Sequence, residues 1–381
     1  MGTRISPITL VAEQCRQSGA ANLAQGMADF AFNAEFTNLL AQDSVMRQTA
    51  YTNPRGLLAL RRAIASYWPD LCTSDIRSDD EICVTPGATG AFAASILGLT
   101  RPGDTILIHE PFWDYHVDLV RVLGRKALVV PALDGRYNRA VALTLISNIA
   151  NNVSAILVVS PGNPSGEIVP PDYIETLIHA SRASQAVVIL DEVYSGYIWS
   201  GKQGLLYNHP AARKSQRLVL CHSLSKSACL TGWRIGFAAG AAPLIDEIAR
   251  ANGLISACAA APLQLAASIG LAKLPSLSAS FRDIVFQSKE KIVRAFCGAG
   301  FVVREPDGGF FFLADVLPAG FSSGLDARER LLRDYGIGVV EAGGFYEQEA
   351  SDLIRVCFAV PAATADRVSA ALSVSAGRAS D

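Results

Sequence analysis

The chain has 381 residues, half of them apolar, 18% charged, and a formal net charge of −2 at pH 7. That charge content is below the usual figure of about 25%, which excludes a largely disordered chain. The length leaves room for two or three structural units, and the charge balance gives no general attraction for nucleic acid or acidic membranes.

Met1 to Gln17 mixes Arg4, Glu13 and Arg16 with polar residues and lacks the pattern of a signal peptide. A cytoplasmic protein is expected. The segment Leu58–Tyr67 has helical periodicity. The uncharged run Ile82–Thr100 cannot be one helix, because Pro86, Gly87 and Gly90 interrupt its start. From there strands and helices alternate, which points to an α/β sheet buried on both faces. The expected strands are Glu81–Val84, Thr105–His109, Lys126–Val130, Ala155–Val159, Ala186–Leu190, Arg217–Cys221 and Arg234–Ala238. The expected helices between them are Ala91–Gly98, Trp113–Leu123 and Pro171–Ser184. Gly103-Asp104, Asp134-Gly135 and Pro161-Gly162 mark turns.

A second uncharged run, Ala251–Ala272, is broken by Pro262 and Gln264 and reads as a buried or dimer-facing helix rather than a membrane span. After Pro275 the pattern changes to a long helix, Ser276–Gly298. Short strands follow at Phe301–Arg304, Gly309–Ala314, Gly338–Val340 and Leu353–Phe358, with helices at Ala327–Tyr335 and Ala363–Val374. This is a smaller α+β unit. The eight cysteines are scattered with no C-x-x-C pair, so they read as small buried hydrophobes and no metal site is expected.

Several polar groups fall at the carboxyl ends of expected strands, where open α/β sheets bind ligands. Ala186–Leu190 ends in Asp191-Glu192-Val193-Tyr194. Taken alone, a carboxylate there is more often a helix cap than a buried partner for a cationic ring. Ser223-Leu224-Ser225-Lys226 follows the next strand. A lysine set among Ser, Leu and Ala can be desolvated, which frees its amine for Schiff-base chemistry, although a lone lysine is more often a surface charge. Arg234 is placed to fork onto a phosphate or carboxylate. The Gly87-Ala88-Thr89 turn can offer free N–H groups to an anion at a helix start. Asn163 follows another strand in Ser160-Pro161-Gly162-Asn163, and Trp113 ends a fourth.

Taken together and in order, these pieces resemble the pyridoxal-phosphate-dependent aminotransferases of class I/II, fold type I. The matching stretches are Tyr51-Thr52-Asn53-Pro54-Arg55-Gly56, Pro86-Gly87-Ala88-Thr89, Asn163-Pro164-Ser165-Gly166, Asp191–Tyr194, Ser223–Gly236 and Ile354-Arg355-Val356. The resemblance as a whole spreads from Asn22 to Ala359. Glu110–Tyr115 looks most like the kynurenine, cysteine-conjugate and aspartate aminotransferase branch. The resemblance implies a large domain, residues 48–285, with a mostly parallel seven-stranded sheet between helices. Residues 286–381 would form the small domain, with residues 1–47 as an N-terminal arm and part of it. It also implies pyridoxal 5'-phosphate as cofactor, an amino acid and a 2-oxo acid as substrates, and a homodimer with shared active sites that binds neither nucleic acid nor membrane.

Residue by residue, the resemblance implies that Lys226 holds the cofactor as an internal aldimine and then moves a proton. Asp191 would pair with the pyridinium nitrogen. Asn163 and Tyr194 would bond the phenolic oxygen, and Trp113 would stack on the ring. Gly87, Ala88, Thr89, Ser223, Ser225 and Arg234 would hold the phosphate, with Tyr51 reaching that of the neighbouring subunit. Arg355 would clamp the substrate carboxylate, assisted by Asn163 and the backbone at Gly26.

The chain departs from the family at Met27–Asn33 and at Ala342–Tyr346, both at the expected substrate entrance. No arginine is assignable to a dicarboxylate side chain, and Ile5, Ile8, Phe30 and Tyr346 are expected to form an apolar or aromatic wall. The same scaffold could instead run elimination, replacement, decarboxylation or cyclisation. An aminotransferase-like regulator would need a further DNA-binding domain. Gly196–Lys202 nearly spells a phosphate loop, but Gln203 stands where Ser or Thr would hold magnesium.

Overall fold

The computed structural model describes residues 6–26, 34–68, 75–131, 153–201, 206–347 and 350–376. Ile5, Met27–Asn33 with Phe30, Cys72, the Asp134-Gly135 turn and Lys202 lie outside them. A short strand β1 (Ala21–Asn22) precedes the main sheet. The seven expected strands of that sheet all form: β2 (Ile82–Thr85), β3 (Thr105–His109), β4 (Lys126–Val130), β5 (Val153–Val159), β6 (Val187–Asp191), β7 (Leu218–Ser223) and β8 (Gly236–Gly240). Their order is β2-β8-β7-β6-β5-β3-β4, parallel except for β8, which runs against both neighbours.

Continuous apolar strands are the signature of a sheet covered on both faces, and β6 shows why. Val188 and Leu190 face a core shared with the helices Leu58–Tyr67 and Pro171–Ser184. Val187 and Ile189 face the opposite core, against Gly87–Leu99, Asp114–Val122 and Ala242–Ser256. This central strand therefore presents its last residue, Asp191, at the carboxyl end of the sheet.

The small unit is an antiparallel sheet of order β12-β13-β10-β9, built from β9 (Val302–Arg304), β10 (Phe311–Asp315), β12 (Val340–Glu341) and β13 (Leu353–Cys357). The helices Leu274–Gly298 and Ala362–Ala376 pack together on it. The expected strand Gly338–Val340 divides in two. Its first part, β11 (Ile337–Gly338), pairs with β1, whereas β12 pairs with β13. Gly338 lies against Cys15 with no room for a Cβ, so the chain can pass close under the first helix, Pro7–Ser18.

The first 47 residues likewise divide. Pro7–Ser18 and β1 pack on the small unit, but Ala34–Leu40 and Asp43–Met46 lie against Ala261–Gly270 of the large one. Phe36 belongs to the large core, seated over Gly270 where a Cβ would collide with its ring. The run Ala251–Ala272 forms parts of two helices, not one: Ala242–Ser256 ends before Ala257, whose φ is 56°, and Ala261–Gly270 follows. Among the described residues no helix is long and apolar enough to cross a membrane.

Two imidazoles are locked in this core. Burial pushes His109 and His222 from their ordinary 6.5 down to about 4. Between those values the unfolded chain binds the protons that the native state refuses, so stability falls as the pH is lowered. Each imidazole should cost about 3 kcal/mol once pH 4 is reached. Urea midpoints measured from pH 7 to 4 should fall, and His109→Leu should flatten the slope. A midpoint flat across that range would contradict the burial argument.

Candidate active site

The carboxyl ends of β2, β5, β6 and β7 open into a cavity of about 680 Å³. One end of it is built for an anion. Ala88 and Thr89 start the helix Gly87–Leu99 there, beside Ser223, Ser225 and Arg234. Gly87 has φ +74°, which favours glycine, and a Cβ on it would meet the guanidinium of Arg234, which would have to move aside. Arg234 itself was expected to open β8. It instead closes the turn Thr231–Trp233 with φ 53°, and β8 starts two residues later. That left-handed turn aims the guanidinium back at the cavity, with Nη1 donating to the Thr231 carbonyl at 2.9 Å.

Lys226 sits on the one-turn helix Leu224–Ser227, whose start Ser223 caps by accepting the Ser225 N–H at 3.3 Å. The Tyr197 hydroxyl donates to the Lys226 carbonyl at 2.8 Å. Nζ lies 5.8 Å from the centre of the Tyr194 ring. Burial lowers the amine's pKa, and Arg355 and Arg234 lower it further, against an opposing pull from Cys357 and Cys229. Such an amine gives up its proton readily, as a nucleophile must.

Asp191 is buried, accepting the Val193 N–H at Oδ1 (3.2 Å), with Nε2 of His116 3.3 Å from Oδ2. Edge contacts with Trp113 and Phe92 hold the His116 ring, and Trp113 stacks on Tyr115 with centroids 4.8 Å apart. Tyr194 is buried against Phe310 and Phe311. Burial first, and Asp191 second, raise its pKa, which keeps the phenol protonated.

Arg355 lies on the central strand of the small unit and is buried. Its guanidinium is sandwiched between the rings of Phe311 (4.4 Å) and Phe345 (4.9 Å). Nη1 donates to Asn163 Oδ1 at 2.9 Å, and Nη2 donates to the Ala24 carbonyl. Nε is buried with no hydrogen-bond partner. Burial pulls its pKa down to about 10, so it stays charged at neutral pH. A buried cation with a vacant donor calls for a carboxylate.

Among the described residues lining the cavity, Lys226, Arg234 and Arg355 face the single carboxylate of Asp191. The imbalance suits a ligand set with two anionic groups, one at each end. A phosphate fits the Arg234 end, a ring fits between Trp113 and Asp191, and an aldehyde carbon fits beside Lys226. Pyridoxal 5'-phosphate has these parts.

The cavity thus brings together Gly26, Ala88, Thr89, Trp113, Asn163, Asp191, Tyr194, Ser223, Ser225, Lys226, Arg234 and Arg355. Gly87 stands behind the wall against Arg234. Tyr51 is 87% exposed and lies outside the cavity of its own chain. Ile8 lines the wall as expected, but Tyr346 does not; it packs with the cluster of Val11 and Cys15. Sequence reading missed His116, Tyr115, Thr9, Gln25 and Phe311 as lining residues. For His116 a signal existed: it lies three residues after Trp113, on the same helix face.

The family model of the class I and II aminotransferases matches residues 22–372. The probable N-succinyldiaminopimelate aminotransferase DapC of Mycobacterium tuberculosis is 29% identical over 375 residues, covering 94% of this chain and 93% of that one. The methionine aminotransferase of Escherichia coli (strain K12) is 27% identical, covering 94% and 92%. The solved N-succinyldiaminopimelate aminotransferase of M. tuberculosis superimposes with a TM-score of 0.89 at 27% identity, over 98% of this chain and all of that one. Aminotransferases among the relatives do not favour elimination, replacement, decarboxylation or cyclisation. With its fold type I architecture, this chain belongs to the class I and II aminotransferases, enzymes that move amino groups with pyridoxal 5'-phosphate.

Proposed function

We propose that the enzyme takes the amino group from an L-amino acid with an uncharged side chain and passes it to a 2-oxo acid. The observation that carries this reading is the distribution of charge. Among the described lining residues Arg355 is the one cation away from the cofactor's anchors, and Ile8, Thr9, Gln25, Tyr115 and Phe311 line the cavity with it. A second substrate carboxylate would meet no further cation among those described residues.

Pyridoxal phosphate supplies, when bound, an electron sink for negative charge left on the substrate Cα. In this reading Ala88, Thr89, Ser223, Ser225 and Arg234 hold its phosphate, Asp191 its ring nitrogen, Asn163 and Tyr194 its phenolic oxygen, and Trp113 its face. His116 orients Asp191. Lys226 is the covalent anchor, and its Nζ takes the proton from substrate Cα and returns it. Arg355, with Asn163 and the backbone at Gly26, grips the substrate carboxylate through paired hydrogen bonds.

A homodimer is part of the proposal. Tyr51 projects into solvent, and Thr231, Gly232 and Arg234 are exposed on the cavity rim. Met46, Leu58, Leu254, Ile255 and Ile269 supply exposed apolar surface of the kind an obligate interface covers. The free thiols of the seven described cysteines suit the reducing cytoplasm.

Mixing the holoenzyme with single amino acids, with no acceptor present, tests the substrate class. Uncharged donors should each release one equivalent of 2-oxo acid per site. Aspartate and glutamate should do so about 100-fold more slowly, because a buried carboxylate would go unpaired. Aspartate or glutamate matching the best donor would overturn the reading.

A further inference from the structure

We propose that His222 is a positioning residue that locks the loop carrying Ser223, Ser225 and Lys226 to the turn carrying Asp191 and Tyr194. It has no place among the residues lining the cavity. Its ring is buried, stacked on Phe237 at 9° with centroids 5.8 Å apart, and met edge-on by Trp68 at 4.6 Å.

The need for a lock follows from where the sheet ends. Strands β6 and β7 pair as far as Asp191 and Cys221. After one further backbone bond, from the Glu192 N–H to the Cys221 carbonyl at 3.2 Å, one chain turns toward Tyr194 and the other toward Lys226, so the ladder no longer sets their separation. His222 bridges the gap with both nitrogens. Nδ1 accepts the Ser223 N–H at 2.8 Å, so the ring proton belongs on Nε2. Nε2 then donates to Oγ of Ser195, 3.1 Å away. Ser195 follows Tyr194 directly, and its own N–H donates to the Glu192 carbonyl at 2.9 Å. The Glu192 carboxylate anchors the turn from the other side, accepting the Leu206 and Tyr207 N–H groups at 2.6 and 3.1 Å. One imidazole therefore sets the spacing between the group that faces the ring nitrogen and the amine that anchors the ring. Burial supports the geometry by keeping the imidazole neutral well below pH 6, so that Nδ1 remains an acceptor.

The inference rests on the roles of Asp191 and Lys226 given under the proposed function. Its test uses the holoenzymes of Ser195→Ala, His222→Phe and the double variant. Phenylalanine keeps both ring contacts but neither nitrogen. The readouts are the rate of cofactor release into a trapping apoenzyme, the visible circular dichroism of the bound cofactor, and the thermal midpoint of the apoprotein. Release should quicken about tenfold in Ser195→Ala, as one buried hydrogen bond is lost, and more in His222→Phe, with the dichroism altered in both. The double variant should release no faster than His222→Phe alone, because the Ser195 hydroxyl acts through the ring. His222→Gln, which restores a donor, should slow release again.

Wild-type release and dichroism in both single variants, with only the thermal midpoint lowered, would show a plain core residue and overturn the inference. So would additive effects in the double variant. Should His222→Phe not fold, Ser195→Ala decides by the same release and dichroism criteria. Failure of the wild-type chain to take up any cofactor would instead overturn the roles of Asp191 and Lys226.

Discussion

Lys226→Ala is expected to give a folded protein whose amino-group transfer is slower by a factor of about 10⁴–10⁶. The size of the effect follows from the two tasks given to one amine, covalent anchor and proton carrier at substrate Cα. The fold should not suffer. What Lys226 contributes to local structure is its backbone, which receives the Tyr197 hydroxyl and lies within the turn capped by Ser223. The side chain is a liability to the fold, since burial above all, with Arg355 and Arg234 beside it, disfavours its ammonium against an opposing pull from Cys357 and Cys229. A native state that disfavours the protonated amine is least stable at the pH values where the unfolded chain carries it. At neutral pH the alanine apoprotein should therefore unfold at the same urea concentration as wild type or a higher one. Borohydride treatment followed by mass spectrometry should find the cofactor covalently fixed in wild type and absent from the variant. Retention of the adduct, or activity within tenfold of wild type, would place the anchor elsewhere.

Much of this was legible in the residues. The central strands of the main sheet, β5 to β8, are short, mostly apolar runs that are largely buried, a pattern that needs no tertiary information to read. The helices Leu58–Tyr67 and Pro171–Ser184 fall where periodicity and a proline at the first position put them. Asp191 ends β6, Lys226 follows the end of β7 and Arg234 precedes β8, so the sheet brings all three near one cavity once it forms.

What escaped reading depends on contacts between distant segments. Arg234 combines a left-handed φ with a guanidinium lying over Gly87, which is far away in sequence. The division of Gly338–Val340 follows from β1 and β13 competing for one short stretch. Phe36 leaves the small unit because Gly270 offers its ring a seat. His116 and His222 are single histidines in apolar surroundings, which read as core residues until Asp191 and Ser195 are seen beside them.

Arg355 carries the second large effect, and here charge and geometry can be separated. Arg355→Ala should raise KM for both amino acid and oxo acid by about 10²–10³, the cost of removing one partner of a buried charge pair. Stability should fall too, because the side chain also ties the small unit to Asn163 and to the Ala24 carbonyl. Arg355→Lys decides between the two causes. Lysine keeps a cation between Phe311 and Phe345 but cannot present Nε and Nη together to a planar carboxylate. If the fork is what binds substrate, the lysine variant should recover most of the lost stability while its KM remains at least tenfold above wild type. Cofactor retention should change far less than KM in both variants, since the phosphate end of the cavity, around Arg234, is untouched and only the contact through Asn163 is shared. Unchanged KM in Arg355→Lys would mean that a diffuse positive charge suffices, and unchanged KM in Arg355→Ala that the carboxylate is held by another group.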